Sequence, residues 1–380
     1  MLPPSEMYID PLGRELSLDT VRRFINEAHK HNIAAMPYLA VYAASLDFWS
    51  AHENWRLFDK SGHPILFEDF LGIMDPSPGS PWVDHLLNEC DRTLSALPFD
   101  GLHIDQYGDP KDGFNHRGEE VDIPAAFHHF IAAVKRQLPE SAVTFNAVGN
   151  WPIDALTSAP QDFIYIEIWP PTPFYRELRE VISNAREKSG GKPVVVALYL
   201  PATQIENIRL ADALIFASGG CRIELGEHGR LLANPYFPKH QPIFPDLALI
   251  LRRYYDFAVR YSELLGPTAK DLESYQVISP KGVWQVAREG AGRVAVHLLN
   301  MNGLGDPRWD EPQPSPDSFE DLLLQLPIFG SVRQVLWASP DRDCIDLKPA
   351  NWSTEKDRLH VSLPFLDYWT MVVVETDRME

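Results

Sequence analysis

The 380-residue chain holds only three cysteines, Cys90, Cys221 and Cys344. They are far apart and odd in number, so neither a disulfide framework nor a zinc spacing can be read from them. There is no HExxH and no cluster of histidines at ligand spacing, which leaves metal-dependent hydrolysis without a motif and predicts no metal and no cofactor. No apolar run is long enough to span a membrane. The first residues, Met1-Leu2-Pro3-Pro4-Ser5, are not a basic segment followed by an apolar one, so no signal peptide is read. Low-complexity segments and short repeats are missing as well. Positive charge is scarce: Lys plus Arg number 34 against 53 Asp plus Glu, a net charge of −19. That balance repels phosphate backbones and argues against a nucleic-acid partner, while tolerating neutral ligands such as sugars.

What is present is ordinary for a globular protein, with 45% hydrophobic and 23% charged residues. The length exceeds one ordinary core, so two domains are expected. Ten Trp and thirteen Tyr suit sugar stacking, although most aromatic side chains are core.

The most informative segment is Phe99-Asp100-Gly101-Leu102-His103-Ile104-Asp105-Gln106-Tyr107-Gly108. It reads as a buried strand ending in a carboxylate. Strand side chains alternate, so Leu102 and Ile104 face one way and His103 and Asp105 the other. Enzymes built on parallel barrels keep their chemistry at the carboxyl ends of strands. The plainer alternative is a capping Asp at a strand–loop junction. A second such strand is Phe163-Ile164-Tyr165-Ile166-Glu167-Ile168-Trp169. A glutamate in an apolar run costs several kcal/mol to bury as an ion. It persists there paired, solvated in a cleft, or protonated, and the protonated form suits a general acid. Arg222 is a candidate partner if Glu167 is instead a structural ion pair.

Apolar periodicity predicts helices over 17–31, 81–96, 122–137, 174–188, 203–217 and 242–264. Strands are predicted over 33–42, 101–106, 142–148, 163–169, 194–200 and 221–225. Strand–helix alternation with apolar strands is the signature of a parallel sheet covered by helices. Six strands fall short of eight, and Pro11 and Gly13 mark residues 1–16 as loop. The expected architecture is therefore an α/β, (β/α)8-type barrel over 1–268, lacking its first one or two strands. Short strands without intervening helices then predict an antiparallel β-sandwich over 269–380.

Taken in order, these segments resemble glycoside hydrolase family 66, the dextranase and cycloisomaltooligosaccharide glucanotransferase family. The matching residues include Asp10 to Arg14, Ala35 to Tyr38, Val41 to Ala44, Asp100 to Gly108, Phe145 to Val148, Tyr165 to Trp169, Leu225 to Glu227 and Tyr236 to Pro238. Later matches are His297 to Asn300, Trp309-Asp310, Ala338 to Asp341 and Trp369. The resemblance runs over nearly the whole chain and implies Asp105 as nucleophile and Glu167 as acid/base. It implies an α-1,6-glucan partner, retention of configuration, and an extracellular location. Family members carry a further domain and the first barrel strands ahead of the Asp10 segment, and cyclising members carry a sugar-binding insertion late in the barrel. Only about twenty residues separate Leu200 from Cys221, which favours hydrolysis over cyclisation. Tyr38, Tyr42, His103, Gln106, Asn146, Trp169 and Glu227 are the candidate substrate-binding residues, each with core packing, turn capping or ion pairing as the plainer role. The rival readings are a glucan transglycosylase using the same intermediate and an inactive sugar-binding fragment.

Overall fold

In the computed structural model the described residues are all but 1, 2, 4, 11, 12, 109–111, 227, 228, 236–239, 306, 329 and 378–380. Ser17 starts the first helix, α1 (Leu18–Lys30), by accepting the Thr20 N–H on its hydroxyl at 3.2 Å. Leu18 and Ile25 on its inner face bury against Ala35 and Leu97. Alternation then proceeds as the pattern predicts: β1 (Tyr38–Ala40), α2 (Pro81–Ala96), β2 (Gly101–Asp105), α3 (Ile123–Gln137), β3 (Ala142–Val148) and β4 (Ile164–Glu167). The strands pair in parallel, β1 with β2, β2 with β3, and β3 with β4. Gly101 opens β2 opposite Ala142, and a Cβ there would lie 2.0 Å from the Ala142 carbonyl oxygen. Only glycine allows that approach.

Pleating gives this sheet two unlike faces. Ile104, Val143, Phe145, Ala147, Ile164 and Ile166 are fully buried on one of them. Phe127 of α3 packs its ring 4.9 Å from that of Phe145. Burying a side chain of the Val, Ile or Phe kind contributes roughly 1.5–3 kcal/mol, so this face alone fixes register firmly. The other face carries His103, Asp105, Thr144, Asn146, Tyr165 and Glu167. The polar stretch between β1 and α2, where the sequence pattern predicts no element, holds a helix (Leu46–Ala51) and three short antiparallel strands, Ala43–Ser45, Leu66–Phe67 and Leu71–Ile73.

Residues Met1–Glu167 form one compact unit and Ile168–Glu380 a second. The second begins with α4 (Tyr175–Lys188), β5 (Val194–Ala197), α5 (Ile205–Ala217), β6 (Gly220–Ile223) and α6 (Pro245–Arg260), with β5 and β6 parallel. The helix expected over 242–264 breaks at Tyr261, and a four-residue turn of helix, Ser262–Leu265, follows.

Beyond it every pairing is antiparallel. The strands are β7 (Val283–Gly290), β8 (Arg293–Asn300), β9 (Phe319–Pro327), β10 (Val332–Ser339), β11 (Cys344–Pro349), β12 (Asn351–Glu355), β13 (Arg358–Leu366) and β14 (Trp369–Thr376). One sheet runs in the order Lys270–Asp271, β7, β8, β14, β10, β11, and the other β9, β13, β12. Leu298, Val335 and Val372 of the first share one core with Leu322, Leu324, Leu359 and Val361 of the second. The change from α/β to all-β falls between Leu265 and Lys270, while the compact units part at Glu167. The reason lies in the 301–318 connection, which packs back on the helices: Asn207 donates to the carbonyls of Trp309 and Glu311 at 2.9 and 2.7 Å. Buried Asp341 likewise accepts from Arg209 and Tyr254 and from the Trp369 N–H.

Candidate active site

Parallel pairing aligns the carboxyl ends of β2, β3 and β4, and alternation decides which side chains meet there. Asn146 sits opposite Tyr165, and Thr144 opposite His103. The polar face thus gathers two carboxylates around one amide. Asn146 Nδ2 donates to Asp105 Oδ1 at 2.8 Å and to Glu167 Oε2 at 3.0 Å. Those two oxygens can lie no farther apart than the two bonds laid end to end, 5.8 Å. Asn146 and Glu167 are buried, at 4% and 8% exposure, so both amide hydrogens are spent on groups that would otherwise be costly to bury.

The second oxygen of Asp105 accepts the Tyr38 hydroxyl at 2.7 Å. Burial pushes the Asp105 carboxyl above its usual range, against the hydrogen bonds from Tyr38, the Gln106 N–H and Asn146 that favour the charged form. Burial, Asp105 and a hydrogen bond with Tyr42 all raise the Tyr38 phenol, which therefore stays protonated as a donor. His103 packs between Tyr38 and Tyr165, with ring centroids 6.3 and 4.6 Å away. Burial lowers its pKa to about 4 despite the nearby Glu167, so the imidazole is neutral at pH 7 and adds no positive charge.

Of the remaining sequence candidates, Tyr42 borders this cluster and Gln106 and Trp169 do not join it. Gln106 is buried with both amide hydrogens committed, to the Trp151 carbonyl at 2.9 Å and the Asn146 carbonyl at 3.3 Å. Its oxygen accepts the Gly108 N–H at 2.9 Å. It braces the turns after β2 and β3 and keeps no donor for a sugar. Tyr42 lies beyond the end of β1, reaches the cluster through its hydrogen bond with Tyr38, and packs edge-on against Phe67 and Tyr107. Trp169 is 37% exposed and lines a hollow of about 230 Å³ with Tyr199, Gln204 and Asp310, all in the second unit. Glu227 lies outside the described residues. Arg222, the alternative partner for Glu167, is instead held by Asp212 and Glu224 at 2.9 and 2.7 Å. Among the described residues no three His, Cys, Asp or Glu side chains converge as a metal site, and no helix is long and apolar enough to cross a membrane. Sequence reasoning missed Tyr165 as a member of the site. Its position two residues before Glu167, hence on the same face, was the available signal.

Paired carboxylates are the groups that most glycoside hydrolases use, and the strand ends here present two, joined through the Asn146 amide. The family model for glycosyl hydrolase family 66 matches residues 2–373, and the chain belongs to that family. It is 27% identical to a cycloisomaltooligosaccharide glucanotransferase of Niallia circulans, over 97% of this chain and 55% of that protein. It is 24% identical to a dextranase of Streptococcus salivarius, over 96% of this chain and 55% of that protein. The chain thus spans about half the length of the curated relatives it matches. Among solved structures, the Paenibacillus sp. cycloisomaltooligosaccharide glucanotransferase complexed with cycloisomaltoheptaose has a similar fold. Its TM-score is 0.89 at 20% identity, covering 97% of this chain and 77% of that one. A maltogenic α-amylase from Thermotoga neapolitana is more distant, with TM-score 0.60 at 15% identity and coverage of 94% and 81%.

Proposed function

We propose that the chain is the catalytic part of a retaining glycoside hydrolase acting on α-1,6-glucan, dextranase-like in its reaction. Residues 1–268 supply six strands of a (β/α)8-type barrel, and 269–380 form a β-sandwich domain. The observation that carries the reading is the Asn146 amide hydrogen-bonded to both Asp105 and Glu167. Those bonds cap the distance between the bridged carboxylate oxygens at 5.8 Å, compatible with the about 5–5.5 Å of double displacement and short of the about 6.5–9.5 Å of inverting enzymes. Asp105 attacks the anomeric carbon while Glu167 gives its proton to the departing glycosidic oxygen. Glu167, now ionised, takes a proton from water, which attacks the same carbon and frees Asp105. Two inversions give net retention. Asn146 orients both acids, Tyr38 holds Asp105, and neutral His103 packs between Tyr38 and Tyr165. Trp169 remains a candidate stacking platform on family resemblance. Tyr42 and Glu227 remain candidates for sugar contact on family resemblance.

Proton NMR of dextran digestion tests this. The first new reducing ends are expected as the α-anomer, with the β-anomer appearing only by mutarotation. First appearance of the β-anomer overturns the assignment of Asp105 as nucleophile. Transfer to a sugar acceptor is the second reading, favoured by the glucanotransferase relatives. It predicts longer oligosaccharides when isomaltose is added. The connection from Leu200 to Cys221 is filled by α5 and leaves no room for an inserted module, which favours water as acceptor.

Tyr38→Phe removes a donor that favours ionised Asp105. Without it the Asp105 pKa rises further, so the acid limb of kcat/KM moves to higher pH. A shift of about one pH unit is expected, with a loss of about tenfold on the acid limb itself. A pH–rate profile checks this, and an acid limb displaced to lower pH contradicts the Tyr38 role.

A further inference from the structure

The three-stranded sheet β9–β13–β12 has an inner face that joins the apolar core and an outer face that does not. Register places two rungs on the outer face: Leu323, Ser362 and Asn351 in one, Gln325, His360 and Ser353 in the next. Rungs of this kind are about 7 Å apart along the strands, and neighbouring strands about 4.8 Å apart, a spacing on the scale of a pyranose ring. These side chains line a hollow of about 550 Å³, rimmed by Ile278 and Trp352. That is within the range of small-ligand sites.

Three features point to what it takes. Among the described residues that line the hollow there is no Asp, Glu, Lys or Arg, and the one titratable group is His360, 3.8 Å from Glu355, although the whole chain carries −19. Charged ligands and basic peptides therefore find no complement there. The amides of Gln325 and Asn351 and the hydroxyls of Ser353 and Ser362 make no hydrogen bond within the protein among the described residues. They sit beside apolar Leu323, which is 69% exposed, and Ile278, 52% exposed. Unspent donors and acceptors interleaved with apolar surface match a ligand with hydroxyls at its rim and C–H groups on its faces.

We propose that this outer face is a second α-glucan binding surface, separate from the Asp105 site, which holds polymeric substrate. The choice of glucan rests on the proposed function; the neutral, hydroxyl-matching chemistry does not.

The test uses Asp105→Asn chain, which binds without turnover, with and without Ser362→Arg, which fills the hollow, or Gln325→Ala with Asn351→Ala. All three positions are on the solvent face, and melting curves verify folding. Isothermal titration with a linear isomalto-oligosaccharide is expected to show a second binding event that both groove variants lose. Retardation in dextran-containing native gels is expected to fall about fivefold as two-point attachment is lost. With Asp105 intact, the groove variants keep their rate on short oligosaccharides and lose it on polymer at low concentration. Unaltered stoichiometry and retardation overturn the proposal, as does a dimer that Ser362→Arg abolishes. Failure of the intact chain to hydrolyse dextran removes the proposed function, yet the titration still decides the groove.

Discussion

Asp105→Asn is expected to lower the rate of dextran hydrolysis by roughly 10⁴-fold, equivalent to about 5.4 kcal/mol of transition-state stabilisation. An amide is neutral and cannot form the glycosyl ester on which the two-step path depends. The variant should nonetheless fold at least as stably as the parent. Asp105 sits where burial pushes its carboxyl above the usual range, so the ionised form is disfavoured in the folded protein relative to the unfolded chain. The sign follows from linkage: a carboxyl with a raised folded pKa destabilises the fold once pH exceeds its unfolded pKa, and removing the charge relieves that cost. Activity and melting temperature together therefore distinguish a catalytic group from a structural one. Asp105→Ala adds a chemical readout. Azide entering the vacated space attacks from the β-face and yields β-glucosyl azide. A rate within tenfold of the parent in Asp105→Asn, or no azide adduct with Asp105→Ala, assigns the nucleophile elsewhere.

Much of this site could be read from alternation alone. Asp105 and Glu167 each end a strand whose opposite face is wholly apolar, and that pattern placed both on one face before any pairing was known. His103 and Asn146 came with them by the same period of two. The amide bridge itself was not legible, because parallel register depends on the turns between strands, and register is what sets Asn146 opposite Tyr165. Gln106 shows the reverse error. As the residue after Asp105 it seemed near the chemistry, but a shift of one position puts its side chain on the other side of the sheet, where backbone carbonyls bind it. Tyr38 falls within the strand predicted over 33–42, but its hydrogen bond to Asp105 follows only from the β1–β2 register. In the antiparallel region, strands with apolar alternation were visible, whereas β12, exposed at every residue, and half-exposed β11 carried no signal. The 301–318 connection holds too few periodic residues to reveal that it packs against α5.

Glu167→Gln produces the other large effect, and its character differs. Hydrolysis of dextran is expected to fall about 10³-fold, since a sugar alkoxide leaves poorly without a proton. α-Isomaltosyl fluoride leaves without protonation, so its first step should survive and the glycosyl-enzyme should accumulate as a burst. Azide needs no general base and should restore turnover of the fluoride, giving α-glycosyl azide because it attacks the face opposite Asp105. The two azide products thus carry opposite anomeric configurations, β from Asp105→Ala and α from Glu167→Gln. Both carboxylates hang from one amide at 2.8 and 3.0 Å, so either substitution disturbs the other acid's hydrogen bonding. A rate alone would confuse that disturbance with lost chemistry. The anomer does not: a group that merely positions its neighbour cannot invert the product. If Glu167→Gln loses the fluoride and dextran equally and gives no azide adduct, Glu167 supports the pocket without transferring the proton.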